Sequence, residues 1–176
     1  VYNMVVSGLK KTINSFTNGL EAAFGNMIAK KEKDTLRENV SVIETILYGM
    51  STVVFTCTAV LILDFVRIYT RGITDVNYNR PMFALIIIIA QFFNAVRIPY
   101  QLVVQAAGHY KQTKKGAIIE PIMNISLSII FVFKFGLVGV AIGTLVATLF
   151  RTIQYSVYMS KFIVPRNVII VVYRIC

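Results

Sequence analysis

Arg97, Glu120 and Arg151 each lie within a long apolar stretch of this 176-residue chain. A charge at the centre of a bilayer costs at least about 2.5–3.5 kcal/mol on insertion scales, so such residues turn toward ionic partners or water. The polar residues around them are arranged, not scattered. Gln91, Asn94, Arg97, Gln101 and Gln105 recur at steps of three and four, a spacing that places them on one face of a helix. Glu120, Asn124 and Ser128 form a second series, and Thr144, Thr148, Arg151 and Tyr155 a third. A fourth runs Asn3, Ser7, Lys10, Asn14, Thr17 and Glu21. Ser41, Thr45, Tyr48 and Thr52 make a weaker fifth, with Glu44 close by.

Two uses compete for such stripes. Ser, Thr and Asn serve as hydrogen-bonding contacts between membrane helices. Charged and amide groups on several helices instead suit a hydrated cavity for a transported solute. The cavity candidates are Arg97, Arg151, Lys10, Gln91, Asn94, Gln101, Asn124, Glu120 and Glu21. Glu21 and Glu120 fall on separate helices, where ion pairing or proton coupling suits them better than acid–base catalysis. The chain shows no P-loop, HExxH or GxSxG pattern, so an enzyme is not expected. His109 stands alone, and Cys57 and Cys176 are isolated; neither cofactor nor metal site is implied.

The elements that must position these residues are helices. Hydrophobic residues make up 56% of the chain and charged residues only 15%, against about 25% charged in soluble domains. The runs IIIIAQFF and VIIVV suit lipid better than a soluble core. Helices are predicted over roughly residues 1–29, 39–66, 81–108, 115–133 and 137–163. About 20 residues cross a bilayer core, and a helix satisfies its own backbone there. Val168–Cys176 reads as the start of a sixth helix, cut off. Pro99 and Pro121 are expected to kink the helices that contain them. Gly139, Gly143 and Ala147 form a small-residue ladder suited to close helix packing.

The net charge of +10 sits mainly on short connectors. Lys30, Lys31, Lys33 and Arg37 mark the first, Lys111, Lys114 and Lys115 the third, Lys161 and Arg166 the fifth. The second and fourth carry Arg67, Arg71, Arg80 and Lys134, diluted by Asp64 and Asp75. Basic connectors remain on the cytoplasmic side, which predicts an alternating, multi-pass topology. Nucleic acid is not an expected partner, because no basic face with exposed aromatics or recognisable module is present.

The stretch QAAGHYKQTKKGAIIEPIMNISLSIIFVFKFGLVGVAIGTLVATLFR, from Gln105 to Arg151, resembles the polysaccharide flippases. These are the Wzx-like oligosaccharide exporters of the multidrug/oligosaccharidyl-lipid/polysaccharide (MATE-like) superfamily. AGHYKQTKKG, IIEPIMNISLSII and GLVGVAIGT carry the likeness, with VYNM and FGNMIAKKEKDTLREN nearer the start. The resemblance implies an all-α polytopic transmembrane helix bundle, the C-terminal bundle of a two-bundle flippase in a bacterial cytoplasmic membrane. It further implies an isoprenoid-pyrophosphate-linked oligosaccharide as substrate, surrounding membrane lipids, and an N-terminal bundle of the same chain as partner. An anionic substrate needs cations, and the stripe positions make Arg97 and Arg151, then Lys10, the candidates. A multidrug exporter or peptidoglycan-precursor flippase of the same superfamily is the nearest alternative. A membrane-embedded glycosyltransferase or polymerase is the alternative of another class.

Overall fold

The computed structural model describes residues 2–72, 78 and 80–166, leaving out the side chain of Asn3. The helix expected from Val168, together with Val1, Asp75 and Cys176, lies outside the described residues. The described elements are helices: α1 (Tyr2–Phe16), α2 (Leu20–Ala29), α3 (Lys33–Tyr69), α4 (Pro81–Val96), α5 (Ile98–Ala106), α6 (Tyr110–Phe135) and α7 (Leu137–Phe162). No strand occurs among the described residues. The chain is an all-α bundle. Four rods are long and apolar enough to cross a membrane: α3, α4 continued by α5, α6 and α7.

The first expected helix is two helices. Gly19 adopts φ +85°, a left-handed conformation that glycine enters without a Cβ clash. The Thr17 N–H and hydroxyl both donate to Asn14 O, at 3.0 and 2.8 Å, and finish α1. The Asn18-Gly19 pair is a turn signal, but the polar periodicity runs straight through it. The consequence is length. The 10 residues of α2 fall short of a span, and α1 is described over 15. They also pack differently: α1 lies on α3 and α4, α2 on α3 and α5.

The third expected helix is interrupted beside its proline. Pro99 has no N–H for Ala95 O, and its ring crowds that carbonyl. Helix α4 ends at Val96 and α5 resumes at Ile98, with Arg97 at the joint. The backbone remains bonded on either side, Arg97 N–H to Phe93 O and Gln101 N–H to Arg97 O. Helix α6 behaves otherwise and continues through Pro121. It also starts earlier than expected, since the basic stretch after His109 already forms its first turns. Helix α3, at 37 residues, is about 55 Å long at 1.5 Å per residue and outreaches a hydrocarbon core of about 30 Å.

Packing follows the apolar stripes. On α3 the buried positions are Leu36, Val40, Glu44, Leu47, Ser51, Phe55, Thr58, Ile62 and Val66, spaced three or four apart. Phe24, Leu36, Val40, Tyr100, Val103 and Met159 form one core cluster. Ile13, Leu47, Phe55, Ile62, Ile88 and Ala95 form a second beside it. Helix α6 is the outlier: Thr113 and Gly116 are its buried residues, and α7 is its main support.

Glycine makes that support possible. A Cβ at Gly139 would overlap Phe131 backbone, and one at Gly143 would sit 2.6 Å from Ser128 Oγ and 2.8 Å from Ser128 N. The two backbones meet there, as small-residue ladders allow.

The connectors sort to two ends. Lys31, Lys33, Ala107, His109 and Phe162 line one pocket, so the first, third and fifth connectors share an end. At the other end, Tyr2 hydroxyl donates to Tyr78 O at 2.9 Å and accepts from the Arg80 N–H at 3.2 Å.

Gly143→Val is expected to destabilise the protein by about 1–3 kcal/mol through overpacking, whereas Gly49→Val, with open space around its Cα, has a smaller effect. Thermal unfolding of the two variants in detergent checks the difference.

Candidate functional site

Four of the polar stripes converge around one carboxylate. Glu120, on α6, accepts a hydrogen bond from Arg97 Nη1 through Oε1 at 2.8 Å. Its Oε2 lies 3.6 Å from Arg151 Nε. Arg97 stands at the α4–α5 joint and Arg151 in mid-α7, so the carboxylate ties three rods together. The arginine side chains are 12% and 4% exposed, that of Glu120 26%. Charges this sheltered persist because they are paired.

Arg151 is held on all sides. Its Nη1 donates to Thr113 O at 3.0 Å and Gln154 Oε1 at 2.6 Å, and its Nη2 to Tyr155 hydroxyl at 2.9 Å. The guanidinium carbon also lies 4.2 Å from the centre of the Tyr155 ring, a cation–π contact. Arg97 is held more loosely. Its Nη2 donates to Asn94 Oδ1 at 3.3 Å, while Nε is buried without a hydrogen-bond partner among the described residues.

Beside Arg97 opens a polar cavity of about 300 Å³. Lys10, Asn14 and Thr17 of the first stripe face Asn94, Arg97, Gln101 and Gln105 of the third across it. Lys10 is close enough to interact electrostatically with both Arg97 and Glu120. Three cations therefore share this region with one carboxylate.

Other expected cavity residues lie elsewhere. Asn124 accepts hydrogen bonds at 3.2 Å from the Ser128 hydroxyl of its own helix and from the Thr144 hydroxyl across the α6–α7 seam; it is a packing contact. Glu21 is exposed and accepts from Tyr110 hydroxyl at 3.2 Å, away from Glu120 and its arginines. Gln91 is half-buried on α4 and does not line the cavity. In the α3 stripe, Thr45 and Thr52 are exposed and donate to Ser41 O and Tyr48 O of their own helix.

Some contributing residues carried little sequence signal. Gly116 reads as part of a basic connector, yet a Cβ there would overlap Gln154 Oε1 and Arg151 Nη1. Glycine lets the arginine reach the α6 backbone. Glu44, 2% exposed, pairs with Arg166 at 2.8 Å. That pair brings the segment after α7 onto α3, where Tyr48 and Tyr100 hydroxyls are hydrogen-bonded to each other. A glutamate in a predicted span was the available signal for Glu44; its partner, 122 residues away, leaves no local trace.

Glu120→Ala should destabilise the bundle by about 3–5 kcal/mol, because it leaves two sheltered guanidiniums without their counter-charge. The double variant Arg97→Gln/Glu120→Gln should recover part of that loss. A double-mutant cycle on detergent-solubilised protein measures the coupling, and additive losses would show that the pair does not act as a unit.

Compared with models of known protein families, with curated proteins and with solved structures, the chain matches none, so the functional reading rests on the geometry above.

Proposed function

We propose that this chain is part of a membrane transporter that flips a lipid-linked oligosaccharide across the bilayer, with the cavity beside Arg97 as its substrate-facing surface. The observation that carries the reading is the excess of positive charge. Arg97 and Arg151 are both sheltered and outnumber Glu120, and Lys10, exposed on α1, adds a third cation at the cavity. A sheltered excess cation favours an anionic ligand, and guanidinium groups bind phosphate oxygens through a planar fork. Pyrophosphate has that chemistry. A cationic drug does not, which disfavours the multidrug-exporter alternative.

The cavity also offers amide groups. Asn14, Asn94, Gln101 and Gln105 present donors and acceptors on its walls, the partners that sugar hydroxyls need. Arg97 is the residue best placed to exchange partners. Glu120 holds it through one nitrogen, and the cavity adjoins it. Arg151, engaged by Thr113, Gln154 and Tyr155, acts as a fixed charge that holds Glu120 in place. In this reading a second bundle closes the cavity from the other side, and the two rock to alternate access. The basic end faces the cytoplasm, following the positive-inside rule.

In the full-length protein, Arg97→Ala and Arg151→Ala are expected to abolish surface polysaccharide display, while Arg97→Lys retains part of it. Display is scored at matched membrane abundance. Normal display by both alanine variants would exclude this cavity as the substrate surface. For orientation, single cysteines at positions 31, 114 and 161 should all resist a membrane-impermeant maleimide in intact cells, and one at position 134 should react.

A further inference from the structure

We propose that the basic end of the bundle holds the headgroup of an anionic membrane phospholipid, in a pocket rimmed by Lys31, Lys33 and His109. This pocket is separate from the cavity beside Arg97. Its volume is about 200 Å³, and four parts of the chain build it: the end of α2, the start of α3, the α5–α6 turn and the end of α7. Met27, Leu36 and Phe162 supply apolar walls. An apolar wall under a cationic rim matches a phospholipid at the membrane interface, with phosphate outward and glycerol and upper acyl chain inward.

Lys31 gives the strongest indication. Its φ is +60°, and it is the one non-glycine residue with positive φ among the described residues. The other such positions are Gly19, Gly72, Gly108 and Gly136. Lys31 occupies the residue after the α2 cap in a Schellman arrangement. Glu32 N–H bonds to Met27 O at 3.0 Å and Lys31 N–H to Ile28 O at 3.1 Å. Glycine is the usual occupant of that position, because a Cβ is disfavoured there. This chain uses glycine at its other left-handed turns and lysine here, so the side chain itself is what the position requires. Lys31 lines the pocket.

The neighbouring groups reinforce the charge. Lys33 opens α3, whose N-terminus adds partial positive charge. His109 is held by a 3.0 Å hydrogen bond between Nδ1 and Tyr158 hydroxyl and by edge contact of the two rings. Lys30, Lys111, Lys114, Lys115 and Lys161 are exposed near the same end of the bundle. Glu32 is the carboxylate on the rim, and Glu32→Gln should strengthen binding. The inference needs the helices to span a bilayer and does not depend on what the protein exports.

The test uses the full-length protein in nanodiscs of phosphatidylcholine, with or without phosphatidylglycerol. Melting temperature and the lipid retained in native mass spectra are the readouts. Phosphatidylglycerol should raise the melting temperature and remain bound to the native protein. Lys31→Gly should move the two properties in opposite directions: a higher melting temperature in detergent as the turn relaxes, and phosphatidylglycerol binding weaker on the order of five-fold. Lys31→Gly/Lys33→Gln should weaken binding further, and Lys134→Gln, at the opposite end, should leave it unchanged. An undiminished phosphatidylglycerol shift in Lys31→Gly overturns the proposal. So does an equal loss in Lys134→Gln, which would mean diffuse charge attraction. Stabilisation by inorganic phosphate in pure phosphatidylcholine would assign the pocket to free phosphate, and a lower detergent melting temperature for Lys31→Gly would make Lys31 a structural residue.

Discussion

Two guanidinium groups in a poorly hydrated interior repel one another, and the carboxylate of Glu120 is what allows Arg97 and Arg151 to coexist there. Much of the local architecture serves that one requirement. The interruption before Pro99 puts Arg97 at the joint between α4 and α5. Gly116 clears space for Arg151 against α6, and Tyr155 gives it an aromatic face. The glycine seam at Gly139 and Gly143 brings α6 close enough to α7 for Glu120 to reach across. Ion pairs of this kind are weak evidence of stability, because desolvation offsets much of the attraction. They do fix which residues may face each other, and here they set the relation of α6 to the α4–α5 rod, to which it is otherwise little packed.

The two arginines have different freedoms. Arg151 is surrounded by acceptors and a ring, so moving it would break several contacts at once. Arg97 has one carboxylate and one amide, and a cavity at its side. In the proposed transporter a rigid charge beside an adaptable one suits binding and release: the first maintains the local potential while the second changes partners. Lys10 enters from α1, so the electrostatics of the site also depend on a helix outside the four long apolar rods.

The bundle, its helical class and most span positions were legible in the sequence, because apolar length and period-three-and-four spacing are one-dimensional signals. Arg97, Arg151, Glu120 and Lys10 stood out for the same reason: a charge within an apolar run is conspicuous. What remained hidden was the pairing. Asn124 has the same spacing as Glu120, yet one bonds across a packed seam and the other joins the arginines. Only the distance between helices separates those outcomes. The break at Gly19 was written in the Asn18-Gly19 pair, but a continuous polar stripe concealed it, since the turn advances the chain without disturbing the spacing. The Glu44–Arg166 pair was out of reach, because nothing local in residues 44 or 166 names the other.

The α6–α7 seam has a consequence for biogenesis. The two spans are joined at Gly136 alone, so they leave the ribosome as one hairpin. In the membrane reading proposed above, Glu120 and Arg151 then enter the lipid together as an ion pair, and each lowers the insertion cost of the other. Arg97 is synthesised earlier and has no such companion within its own rod. It must wait for the hairpin beside the translocon, or draw in water, until Glu120 arrives. The order of synthesis therefore makes docking of the α6–α7 hairpin the step that first neutralises Arg97.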